Sequence, residues 1–345
     1  MSIPILKFPT VIQREIIKLL TYHEIFLMSL CSEHFKTQIQ LFNLKPQIVS
    51  YQLGPTGTRV FVKNDDNTVC SLAYILNGSY IPVEEQVPMK LGGMPLACRC
   101  DKTELAEDDG MHILRYLELE KNQTLKALHS HINTLFHHKP RIQLQIHSNR
   151  DLETSEIIND VRDSTIVLKT TKPPNLENFL TTHPNQENIK IELIYHTIKW
   201  IPHPKLLSMD GLSIHKLGLN AKPFLDMFTG RYLILDSPQL KETDFIVFIK
   251  KWKQNEMCKN LRALIVKNSQ LLFNNRRVLR RINALKWDET RRPKSFRFDS
   301  MLTTLEPDIH GDIDCSSYAD IQQDDGGKWA SIKITKHGVS FFVWD

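Results

Sequence analysis

The side chains best suited to chemistry are unevenly spread. His129, His131, His137 and His138 lie close together, and grouped imidazoles invite a metal reading. A site on one helical face needs histidines four apart, with a carboxylate or cysteine in ligand spacing, and this group supplies neither. Scattered surface histidines are the expectation. Among Cys31, Cys70, Cys98, Cys100, Cys258 and Cys315 only Cys98 and Cys100 are close, in a spacing that fits no common zinc site, so reduced thiols are expected. Gly92-Gly93 lacks the strand-to-helix setting in which glycines cradle phosphate, and the sequence contains no Gly-x-Ser-x-Gly elbow, P-loop or dinucleotide fingerprint. No catalytic constellation, cofactor or metal is called for, and the chain is expected not to be an enzyme.

Arginines form the sharper cluster. Arg276, Arg277, Arg280 and Arg281, with Arg291 and Arg292 beyond, place guanidinium groups one and four positions apart, which predicts a basic face on one helix. A phosphate backbone or an acidic protein surface could lie there, although a solvated face is the plainer reading. The formal net charge of +5, from 44 basic and 39 acidic residues among 345, is too small for the whole molecule to bind nucleic acid electrostatically. Nearby Trp287 is expected to be buried rather than a base-stacking platform.

These side chains need elements to carry them. At 41% hydrophobic and 24% charged, the chain has ample material for packed cores. Residues 1–30 lack the pattern of a signal peptide and no apolar run is long enough to span a bilayer, so a cytoplasmic or nuclear location is expected. The start reads as three short helices: one from Pro9 through Ile12, Ile16, Leu19 and Leu20, one over His23 to Leu30, and one capped by Ser32 through Phe35, Ile39 and Phe42. A bundle this small buries too little to stand alone, so Leu6, Phe8, Val11, Ile17, Phe26, Leu27 and Met28 should pack on something else.

Beyond Lys45-Pro46, Arg59–Lys63 and Val69–Tyr74 alternate as a hairpin across a polar turn. Residues 84–110 are expected to be a loop, from their glycines, prolines and the acidic run Glu104 to Asp109, with a helix over Met111–Leu119. Short alternating strands then recur at Ile142–Ile146, Thr165–Lys169, Ile189–Leu193, Gly211–His215, Tyr232–Asp236 and Arg262–Val266, starting about 21 to 24 residues apart until a last interval of about 30. That period suggests an irregular, leucine-rich-repeat-like solenoid of strands and helices over about residues 140–270. The longest interval holds a helix over Thr243–Trp252 with Phe245, Phe248, Ile249 and Trp252 on one face. Asp325-Gly326 and Gly327 close a hairpin at about 318–345, with Ile321 set against Ala330 and a last strand in Phe341–Trp344.

Phe8-Pro9, Glu15-Ile16-Ile17, the run Ile25–Ser32 and Phe35 together resemble the F-box, with Phe8 where that motif usually has leucine. The segments 232–235, 245–252 ending in Trp252, 260–264 and 319–334 resemble the type-2 F-box-associated domain of nematode proteins. The two resemblances imply an α+β/α/β chain with an F-box at 1–46 and a substrate-recognition domain at 47–345. They imply a non-catalytic adaptor of a Skp-cullin-F-box ubiquitin ligase, docking on a Skp-type adaptor, and through it a cullin. Leu6, Phe8, Pro9, Val11, Ile12, Ile16, Ile17, Leu20, Ile25, Phe26 and Met28 would make that contact, and a protein target would be held elsewhere. The alternative is a repeat scaffold outside any ligase that binds protein or nucleic acid through the arginine face at 276–292.

Overall fold

The computed structural model describes residues 7–344 apart from Asn67, Ser79, 103–111, 118–119, His137, 169–172, 195–199, 268–273, 299–305, 307–308 and His310. The chain divides into two compact units, Met1–Arg162 and Asp163–Asp345. The division expected after residue 46 does not coincide with that boundary.

In the first unit, α1 (Thr10–Leu19), α2 (Tyr22–Cys31) and α3 (Glu33–Phe42) follow the predicted starts closely. Pro9 is the N-cap of α1 rather than its first helical residue. Thr21 and Glu24 close a capping box on α2, and the Ser32 hydroxyl accepts from the Phe35 amide to open α3. Left-handed Asn43 ends α3. Then come β1 (Ile48–Gly54), β2 (Gly57–Lys63), β3 (Val69–Gly78), β4 (Val87–Leu91), β5 (Met94–Lys102), β6 (His112–Leu117), α4 (Lys121–Leu135), β7 (Arg141–Ile146) and α5 (Asn149–Thr154). The strands lie in the order β7-β1-β2-β3-β6-β5-β4.

The β2–β3 hairpin is where the alternation put it, with β1 as a further antiparallel neighbour. Two expectations fail. The loop over 84–110 holds the β4–β5 hairpin, turned at Gly92 (φ 59°) and Gly93 (φ 84°), so the glycines that suggested irregular chain are a tight hairpin turn. Pro88 is tolerated because β4 ends the sheet order, where a missing ladder donor costs little. The acidic run lies outside the described residues. The helix over 111–119 is instead β6, parallel to β3 and antiparallel to β5; pairing on both edges overrides a short segment's helical pattern.

The second unit takes up the chain within β8 (Val161–Leu168) and continues through α6 (Pro173–Thr182), β9 (Asn188–Leu193), α7 (Pro204–Leu207), β10 (Gly211–His215), α8 (Ala221–Met227), β11 (Tyr232–Asp236), α9 (Glu242–Lys253), β12 (Ala263–Lys267), α10 (Asn275–Arg281), β13 (Leu285–Lys286), β14 (Ser295–Arg297), β15 (Asp312–Asp314), β16 (Ala319–Gln322), β17 (Trp329–Thr335) and β18 (Gly338–Val343). Its sheet runs β13-β16-β17-β18-β12-β11-β10-β9-β8, and β14 pairs with β15 separately. Strands β8 to β12 are parallel neighbours in chain order, and β18 closes antiparallel on β12. The chain is thus a mixed α/β protein, with three N-terminal helices followed by extensive sheet.

Register assigns the two faces of the second sheet. Leu264 opposes Phe341, and Phe248 and Trp252 of α9 pack edge-on to the Phe341 ring, so α9 covers that face with its predicted apolar stripe buried. Ala263 opposes Phe342 on the other face, where Tyr232, Ile234 and Ile265 join Phe296, Phe298, Ile309, Tyr318 and Trp344 in a second core. The period-two side-chain direction of strands forces this split. The C-terminal hairpin pairs Ile321 with Ala330, as its alternation predicted.

Candidate functional site

The N-terminal helices sort the expected contact residues into two sets. Ile17, Ile25 and Phe26 are buried in the first unit, with Phe26 edge-on to His131 at 5.8 Å between ring centres. They hold α1 and α2 to their own fold and are not available to a partner, which corrects the expectation for these three. The reason is the period of the helix: one side of α2 must cover strands β3 and β4. Ile16, Leu20, Leu27 and Met28 are half-buried, and Pro9 is exposed. Leu6 lies outside the described residues. What stays open is an apolar face of α1: Val11 is 69% exposed, Ile12 46% and Leu19 84%, with Phe8 at 36% just before the helix. An apolar stripe of this kind leaves nonpolar surface in contact with water, which is unfavourable.

The histidines correct a second expectation, because His129 and His131 are buried rather than on the surface. His129 meets the Tyr51 hydroxyl at 3.0 Å through Nδ1, while its Nε2 accepts from the Asn159 amide and faces Asn133 Nδ2. His131 Nε2 meets the Ser29 hydroxyl at 2.7 Å, and that hydroxyl donates to the Phe26 carbonyl. His23 is also buried; its Nδ1 meets the Leu72 carbonyl and its Nε2 accepts from the His112 amide. These imidazoles fasten α2 and α4 inside the first unit. Burial, opposed by Asp160, brings His129 down to about 4, and burial with the charge of Lys36 brings His131 down to about 4. Among the described residues no three His, Cys, Asp or Glu side chains gather as a metal site.

The arginine face also divides. Residues 276 and 280 form one row on α10 and 277 and 281 another, about 100° round the helix. Arg277 makes two bonds of 2.8 Å to the Glu242 carboxylate of α9, and the charge of Arg281 also acts on that carboxylate. Arg276 and Arg280 are exposed, and no carboxylate pairs with either among the described residues. Arg292 belongs to no face: it is 1% exposed, bonds Asp320 and the carbonyls of Cys315 and Pro293, and stacks on Trp344. Arg291 pairs with Asp288 and lies over Trp329. Trp287 is half-buried.

One constellation was not foreseen. Lys190, Ser213, His215, Asp236 and Lys267 come from four successive parallel strands and share the face opposite α9. They surround the carboxylate of Glu306, itself 1% exposed. Ser213 donates to Glu306 Oε1, His215 Nε2 lies 2.7 Å from the same oxygen, Lys267 Nζ lies 3.4 Å from Oε2, and His215 Nδ1 meets Asp236 Oδ2 at 3.1 Å. Burial would raise the Glu306 carboxyl, but the bonds from His215 and Ser213, with the charges of His215 and Lys190, outweigh it and hold the group down to about 2. The arrangement lacks a nucleophile and base pair, because Ser213 gives its proton to Glu306 and not to His215. It is a buried ion network.

No family model, curated protein or solved structure matches the chain. The surfaces must therefore be read on their own chemistry. Sequence reasoning missed the network because its members come from segments more than 20 residues apart along the chain; the visible signal was a polar residue at alternate positions near the ends of strands β9 to β12.

Proposed function

We propose that the chain is a non-catalytic substrate-recognition adaptor of a Skp-cullin-F-box ubiquitin ligase. The exposed apolar face of α1 docks on a Skp-type adaptor, and the rest of the chain presents a protein target to the ligase. The observation that supports the reading is the exposed stripe Val11, Ile12 and Leu19, with Phe8 just before it, on a helix whose other side is already used by its own fold. The F-box resemblance spans that helix. The finer fold proposed with it is an irregular leucine-rich-repeat-like array over β7 to β12. Catalysis belongs to the other ligase subunits, and this chain contributes proximity. The adaptor interface should bury on the order of 1,200 to 2,000 Å² in total, with a few apolar anchors dominating.

The test is co-expression with a Skp-type adaptor and size-exclusion chromatography of the full chain beside Val11→Asp/Ile12→Asp. Both substitutions fall on exposed positions, so the variant keeps its fold, as circular dichroism would verify. Co-elution of the parent and not of the variant is the expected result. Absence of a complex with the well-folded parent removes the reading. The alternative of a nucleic-acid-binding scaffold is weakened by the pairing of Arg277 with Glu242 and the burial of Arg292, which leave few free cations at 276–292.

A further inference from the structure

A groove of about 440 Å³ opens beside α10, at the end of the second unit's sheet. Its apolar lining is Leu279, Leu285, Trp287 and Tyr318, Ser316 also lines it, and among the described residues Lys286 is the only charged one that does. Leu285 is 50% exposed in strand β13, the last strand in the sheet order. This volume suits one large or two small apolar side chains of a ligand.

Positive charge lies close to this lining, on Lys286 and along α10. Leu279 lines the groove from α10, and Arg276 stands one turn before it on the same side of the helix, with Arg280 next to it. Arg277 and Arg281 lie on the neighbouring row, about 100° round the helix, where Arg277 is bonded to Glu242. Arg276, Arg280 and Lys286 are all exposed, and no carboxylate lines the groove or pairs with them among the described residues. In addition, the indole N–H of Trp287 is shut off from water and has no acceptor among the described residues.

We propose that this groove binds a short acidic peptide segment of a partner protein, with an aliphatic or aromatic anchor in the apolar cleft and flanking carboxylates on Arg276, Arg280 and Lys286. The charge is complementary and unneutralised, the cleft is apolar, and the two lie side by side. Nucleic acid is the poorer fit, because strong backbone binding uses roughly six to ten phosphate contacts and the rim offers three cations. The inference stands apart from the ligase reading, since it concerns another surface and needs no ligase subunit.

Fluorescence anisotropy with the full chain tests it. The probe is a fluorescein-labelled peptide of alternating glutamate and leucine, beside the same peptide with lysine for glutamate, one with alanine for leucine, and a labelled single-stranded oligonucleotide. The glutamate–leucine peptide is expected to bind at least about tenfold more tightly than either control peptide. Arg276→Glu/Arg280→Glu should weaken it by roughly tenfold or more, through charge reversal at the rim. Arg281→Ser, on the other row, should leave it within about twofold. Leu285→Ser, at an exposed position, should reproduce the loss seen with the alanine peptide. Equal binding of glutamate and lysine peptides, indifference to Arg276→Glu/Arg280→Glu in protein with an unchanged melting curve, or binding of the oligonucleotide alone would each overturn the proposal.

Discussion

His129 and His131, neighbours but one on α4, are held as opposite neutral tautomers. His129 Nε2 accepts from the Asn159 amide, so its proton sits on Nδ1 toward Tyr51. His131 Nδ1 accepts from the Gly92 amide at 3.4 Å, so its proton sits on Nε2 toward Ser29. Neither ring can take a second proton without losing a bond to a backbone amide.

Acid should therefore loosen the first unit. Both histidines stand at about 4 in the folded chain against 6.5 ordinarily. A lowered folded value means the unfolded chain binds the proton first. Their contribution is full above about pH 6.5 and is lost as pH falls toward 4, at about 1.4 kcal/mol per pH unit for each ring. Urea midpoints between pH 7.5 and 4 should fall accordingly, and His131→Gln should flatten the slope. An unchanged slope in the variant would show that His131 is already charged in the fold.

Glu306 makes the matching prediction for the second unit. Its carboxyl is held at about 2 against 4.5, so its contribution is present above about pH 4.5 and is lost as pH falls through 2. Glu306→Gln keeps the volume but leaves Lys190 and Lys267 facing a neutral amide. The expected loss is about 3 kcal/mol at pH 7, as for a buried pair with one partner removed. Thermal melting checks it: loss of less than about 0.5 kcal/mol would mean that water already shields these charges.

The contrast between the two units shows what a sequence can carry. Strands β10 and β11 fall where alternation put them, residue for residue, because each is a short run bounded by turns whose side chains alternate between the two faces of the sheet. Residues 112–117 misled because Ile113, Leu114 and Tyr116 suit a helix as well as a strand, and only their neighbours β3 and β5 decide. The site was legible in part. The apolar stripe of α1 follows from helical spacing, but which side is open depends on what α2 and the sheet already cover. The Glu306 network showed only as polar residues at alternate strand positions, since its partners meet through strand register.

Gly92 and Gly93 separate backbone strain from steric clash. Both have positive φ. A Cβ on Gly92 would come within 2.5 Å of the Ala127 carbonyl of α4, whereas one on Gly93 would meet nothing within 4 Å. Gly93→Ala should cost about 1 kcal/mol, the ordinary left-handed penalty. Gly92→Ala should cost clearly more, because α4 must move and His131 loses its amide partner. Equal losses in chemical denaturation would place the turn farther from α4 than these contacts do.

Arg292 and Asp320 offer the sharpest test of the second core. The guanidinium is enclosed by Asp320, two carbonyls and the Trp344 ring, and Asp320 also accepts from Ser331, whose hydroxyl takes the Trp344 indole N–H. Removing one charge strands the other in a buried site. Arg292→Met alone should cost about 3 to 5 kcal/mol, the usual result of breaking a buried pair. The double variant Arg292→Met/Asp320→Leu should be less damaged than the sum of its single variants, because neither charge is then left uncompensated. Additive losses in a double-mutant cycle would mean that Arg292 acts through its carbonyl bonds and ring stacking, with Asp320 contributing independently through Ser331.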